Sequence, residues 1–166
     1  MKTMLALFCG VVTFAAVAGD AKKTPPISLT KAEVEKCVKT VPDFVKICPG
    51  FNPKAVNPNA PDAIIRGAMT KAKLQEFATS HGYADFSEFA KSMAGVFSAY
   101  SVLKIEKMLA SLKQQMAANP QMAAIMQAQL KPLKENLQRM KARVTPETLN
   151  LVKPYVGTLD EIFQAK

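Results

Sequence analysis

Phe86, Phe89, Ala90, Met93, Phe97 and Tyr100 fall at i, i+3, i+4, i+7, i+11 and i+14, the spacing of one apolar face on an α-helix. Leu103, Ile105, Leu109, Leu112 and Met116 continue the pattern, so one long helix is expected to run to about Ala118. Asn119-Pro120 ends it and opens another, because proline suits the first helical position and asparagine the cap before it. Met126, Leu130, Leu133, Leu137, Met140 and Val144 then step by four, three, four, three and four, close to a heptad seam. Two antiparallel helices packed as a hairpin follow from these patterns, with a kink or a second start at Pro132.

On the N-terminal side, Thr30 and Glu33 make a capping box, and Val34, Cys37, Val38 and Val41 recur behind it at helical spacing. Pro42 is expected to interrupt this short helix, leaving Phe44, Ile47 and Cys48 on a second short turn. Residues 49–61 hold four prolines and three asparagines and read as a long loop, with Phe51 and Val56 as its anchors or as ligand contacts. Asp62 is placed to cap a helix whose apolar face is Ile64, Ile65, Ala68, Met69, Ala72, Leu74, Phe77 and Ala78. Gly82 suits a left-handed cap at its end, and Asp85 with Glu88 forms the next capping box. Thr145-Pro146 and Lys153-Pro154 open two further short helices, the last burying parts of Tyr155, Val156, Leu159, Ile162 and Phe163. Strand alternation is missing, so the fold class is all-α: a small helical domain with a long helical hairpin.

The start of the chain changes that picture. Lys2, the apolar run Met4 to Ala18 and the small residues Ala16-Val17-Ala18 have the form of a cleaved signal peptide over residues 1–18. The run is short for a membrane anchor and Phe8 is a poor neighbour for a lipidated Cys9, so an exported protein is expected, most naturally in a bacterial periplasm. Residues 19–28, with two lysines and two prolines, read as a flexible leader, and 29–166 as a single helical domain with no transmembrane segment. Export leaves Cys37 and Cys48 as an even pair in an oxidising compartment, which predicts a disulfide. A continuous helix would hold the two about 16 Å apart. A disulfide tolerates roughly 4.4 to 6.8 Å between Cα atoms, so the expected staple requires the chain to reverse near Pro42.

The chain has 22 Lys and Arg against 13 Asp and Glu; loss of Lys2 with the signal leaves a mature excess of about eight positive charges. That balance favours acidic partners: unfolded proteins, anionic lipid or anionic envelope polymers, rather than nucleic acid, whose binding motifs are missing. Lys131, Lys134, Arg139, Lys141 and Arg143 gather on the second hairpin helix, with Glu135 four residues from both Lys131 and Arg139 and so able to form surface pairs. They are candidate binding residues or a solvated face. Met116, Met122 and Met126 flank the Asn119-Pro120 turn and are candidates for an adaptable apolar groove; as thioethers they also suit Cu(I). His81 is the only histidine and sits where a helix C-terminus needs a donor. No zinc, haem, phosphate-loop or nucleophile-elbow signature is present, so no cofactor, metal site or catalytic residue is assigned. The functional expectation is an exported, non-enzymatic binding or chaperone-like protein using an apolar groove with a basic border. A carrier of a small apolar ligand or metal ion in the helical core is the alternative, and an enzyme of unknown reaction a third.

Overall fold

The computed structural model describes residues 25–48, 70–118 and 120–164, with the side chains of 120–126, 128, 129 and 164 outside the description. The signal sequence, residues 19–24 of the leader, the 49–61 loop with Phe51 and Val56, the Asp62 cap and the Ile64–Met69 face lie outside these residues. Within them the chain forms α1 (Lys31–Ile47), α2 (Lys71–Ser80), α3 (Phe86–Ala118), α4 (Pro120–Lys141), α5 (Pro146–Val152), a 3-10 turn (Lys153–Tyr155) and α6 (Val156–Gln164). The all-α class and the long helix are therefore present.

The caps form where local chemistry placed them. The Thr30 side chain accepts from the Glu33 amide at 3.3 Å, and Glu33 returns a carboxylate to the Thr30 amide at 2.7 Å. Gly82 has φ +77°, its amide donates to the Thr79 carbonyl, and the Tyr83 amide donates to that of Ala78, both at 3.0 Å. This pair of bonds is a Schellman motif, which needs a residue without a Cβ penalty at the left-handed position. Asp85 accepts from the Glu88 amide at 2.7 Å, but Glu88 reaches one residue further back than expected, to the Ala84 amide at 2.6 Å. Thr145 caps α5 with Pro146 at its start.

Three expectations about where helices run and stop are corrected. First, α1 runs through Pro42 to Ile47 as one helix, so Cys37 and Cys48 stay at opposite ends of its second half and no disulfide joins them. An interior proline costs roughly 3 kcal/mol. Continuing the helix buries Phe44 completely, against Phe89 at 5.2 Å, Phe77 at 5.5 Å and Phe86 at 6.3 Å between ring centroids. Burial of such a ring contributes about 2 to 3 kcal/mol before its edge-to-face contacts, enough to offset the proline. Second, α4 continues through Pro132 as one helix, so no second segment starts there. Third, Thr70 is extended and caps α2, so the apolar run around it is not one continuous helix.

The first half of α3 is the axis of the protein. Every residue from Ser92 to Phe97 is buried, because α1, α2, α5 and α6 all pack on α3. Ile27, expected within the flexible leader, is instead fixed. Its amide donates to the Arg143 carbonyl at 2.8 Å and its carbonyl accepts from the Thr145 amide at 3.1 Å, an isolated parallel bridge with Val144. The Leu29 amide then donates to the fully buried Thr148 hydroxyl at 3.0 Å. This strap crosses α3 over Gly95. A Cβ there would meet Leu29 Cδ1 at 2.7 Å and Ile27 Cγ2 at 2.9 Å, so the close approach depends on glycine.

Beyond Tyr100, α3 has a different partner. Val102, Ile105, Leu109 and Leu112 are buried against Leu130, Leu137 and Val144, with Leu133, Met140 and Met116 half-buried beside them. The heptad seam of α4 thus meets α3 in an antiparallel hairpin, closed at its base by Ile27 and Leu149. Met126 and Met122 lie on α4 with side chains outside the description. Among the described residues no helix is long and apolar enough to cross a membrane.

Candidate functional site: the basic helical hairpin

Residues 102–144 carry eight of the chain's 22 Lys and Arg but only two of its 13 Asp and Glu, so +6 of the formal +9 resides in this segment. None of the nine Phe and three Tyr falls in it, whereas five of the nine Met do. The hairpin is therefore held by aliphatic side chains along one seam and presents cations elsewhere.

All five basic residues singled out in the sequence, Lys131, Lys134, Arg139, Lys141 and Arg143, are exposed. Lys141 pairs with Glu106 of α3 at 2.5 Å. The other four make no ion pair among the described residues, and the pairs open to Glu135 with Lys131 and Arg139 do not form. Lys134, Glu135, Gln138 and Arg139 line an open depression on α4 rather than an enclosed cavity. Met116 is half-buried in the seam; the exposed large apolar side chain of the hairpin among the described residues is Met108, at 48%.

Three cations were missed because they lie on the other helix. Lys104, Lys107 and Lys113 all belong to α3, and only the pairing of α3 with α4 adds them to the same element. Lys104 is spoken for: it donates to Asp160 of α6 at 2.8 Å, and the Tyr100 hydroxyl donates to the same carboxylate oxygen at 2.5 Å. The hydrogen bonds from Lys104 and then Tyr100 hold the Asp160 carboxyl below its ordinary value, while desolvation, followed by the Asp160 bond, raises that of Tyr100. Phe163 packs on Phe97 at 4.6 Å and on Tyr100 at 5.8 Å beside this latch, which fastens α6 to α3. Lys107 and Lys113 are exposed and without ion pairs among the described residues.

The remaining titratable groups make local contacts within the body. His81 caps α2: its Nδ1 lies 2.9 Å from the Phe77 carbonyl, its ring packs on Phe77 at 4.2 Å, and its Nε2 is 3.6 Å from Asp43. Asp43 is held low chiefly by its hydrogen bond from Lys46. Burial pushes the Cys37 thiol far above its ordinary value, so it stays protonated at neutral pH. Tyr83 is buried beside Thr40, under the Lys36 ammonium, which stacks 3.9 Å from its ring and also donates to the Gly82 carbonyl. Among the described residues no three His, Cys, Asp or Glu converge as metal ligands. Compared with protein-family models, curated proteins and solved structures, the chain matches none.

Proposed function

We propose that this protein is an exported, non-enzymatic binding protein of chaperone-like character, holding anionic partners on its α3–α4 hairpin. The observation that carries the reading is the concentration of unpaired cations on that hairpin: Lys107, Lys113, Lys131, Lys134, Arg139 and Arg143 have no ion pair among the described residues. Cations left unpaired on a low-aromatic, two-helix element attract anions and speed their encounter. Met108, exposed on the same element, adds an adaptable apolar contact. Export rests on Lys2, the run Met4 to Ala18 and the Ala16-Val17-Ala18 cleavage pattern, and a bacterial periplasm is the setting they fit.

The test is retention of three probes, heparin, phosphatidylglycerol vesicles and a reduced unfolded acidic protein, at two salt concentrations. Retention of at least one is expected at about 0.01 M salt, where the screening length is about 30 Å, with marked weakening at about 0.1 M, where it is about 10 Å. Failure to retain any probe at the lower concentration contradicts the reading.

A further inference from the structure

The Lys141–Glu106 ion pair fixes the register of the hairpin. Each partner directly follows a seam residue, Met140 on α4 and Ile105 on α3, so both flank the seam on the same side. One heptad towards the turn, Lys113 follows Leu112 on α3 and Lys134 follows Leu133 on α4. In an antiparallel pair, seven residues forward on one helix match seven residues back on the other. Lys113 and Lys134 therefore stand opposite one another on the flank that holds Glu106 and Lys141, about 10 Å farther along.

At this second position the pairing is like with like. Both lysines are exposed and neither has an ion pair among the described residues. Lys131, three residues before Lys134, brings a third ammonium to the same face of α4. Like charges set across a seam destabilise it, and a bound anion relieves the repulsion. Building on the proposed function, we infer that Lys113, Lys131 and Lys134 form a binding site for a linear polyanion lying along this flank of the hairpin.

The surroundings select that occupant. Ala110, Ala117 and Gln138 are exposed on this flank, with the Glu135 carboxylate beside Lys134 and Gln138, a small and polar shelf with nothing to enter the acyl region of a bilayer. Met108 is two residues beyond Glu106 and so faces away from this flank. A second copy would set one +6 hairpin against another. Lysine ammoniums are point charges on flexible stems, which accept anionic groups at varied angles, unlike the fixed fork of arginine. Repeated charges on a flexible chain meet those demands together.

Heparin titrated into the full-length protein at low salt provides the test. The Lys113→Gln, Lys131→Gln, Lys134→Gln triple variant is expected to bind roughly ten-fold or more weakly, with the slope of log affinity against log salt shallower by roughly two to three, about one per released counterion. A control pair, Lys107→Gln with Arg143→Gln, removes hairpin charges that lie outside the depression shared by Lys134, Gln138 and Arg139, and should weaken binding far less per charge removed. Lys113→Glu supplies the geometric check: it recreates the Glu106–Lys141 arrangement with Lys134, so its melting midpoint should rise while heparin binding weakens. Equal weakening per charge by the triple and the control pair overturns the site but leaves the hairpin reading standing. Binding of phosphatidylglycerol vesicles without heparin overturns the polyanion, again leaving that reading. Binding of neither probe, nor of the unfolded acidic protein, removes both. No rise in the Lys113→Glu midpoint overturns the register on which the site depends.

Discussion

The two halves of α3 belong to one helix yet live in different surroundings. From Phe86 to Tyr100 the helix is enclosed by α1, α2, α5 and α6 and packed with rings, Phe89 touching Phe44, Phe77, Tyr83 and Phe86 within 5.2 to 6.0 Å. From Val102 to Ala118 it has α4 as its main partner and buries four aliphatic side chains along one stripe. Burial of each ring or branched aliphatic contributes about 1.5 to 3 kcal/mol, so the enclosed half holds much more of the stability. The second half, needing only one face for packing, leaves the rest of its circumference exposed, with Lys107 and Lys113 on it. A single helix thereby joins a stabilising body to a charged surface element.

That contrast should appear first in core truncations. Phe89→Ala is expected to cost about 3 to 5 kcal/mol, while Leu109→Ala, in a seam open on both sides and better able to collapse, should cost about 2 kcal/mol. Chemical denaturation of the two variants provides the comparison, and a larger loss at Leu109 would reverse the assignment of stability. Gly95→Ala pushes a methyl into the Ile27–Leu29 strap and should cost about 1 to 3 kcal/mol. Gly157→Ala in α6 meets nothing within 4 Å and should gain up to about 1 kcal/mol from helix propensity, as thermal melts can show.

A smaller effect separates α6 from the rest. Asp160 is held below its ordinary carboxylate value when folded, so its stabilising contribution is complete above the unfolded value and is lost as pH falls through the folded one. Acidification below about pH 4 should release the α6 latch, followed by the Tyr100 and Phe163 ring signals in NMR. Asp160→Asn should cost about 1 kcal/mol and remove that pH dependence. Smallest of all is the effect of reductant. With no disulfide between Cys37 and Cys48, reductant should leave the melting midpoint unchanged, and a substantial drop would restore the staple.

Which features were legible in the sequence follows from how local their physics is. Thr30 with Glu33, Gly82 after Ser80-His81, and Thr145-Pro146 act on backbone groups within one turn, so their spacing alone fixes what they do. The hairpin seam was legible for the same reason, since burial repeats with the helical period. Pro42 misled because its local cost competes with the burial of Phe44 among rings from α2 and α3, a long-range gain that spacing does not reveal. Ile27 misled likewise, its partner Val144 lying far along the chain. At the candidate site, Lys131, Lys134 and Arg139 stood out as a cluster on one helix. Lys113 did not, because its meaning depends on the residue opposite it across the seam.

Hydrogen–deuterium exchange of the full-length protein, with and without saturating heparin at low salt, addresses the division between body and hairpin most directly. Slower exchange confined to residues 102–144, with α1, α2 and α6 unchanged, is the expected result. Protection centred on those three helices, with the hairpin unaltered, would contradict the assignment of binding to the hairpin.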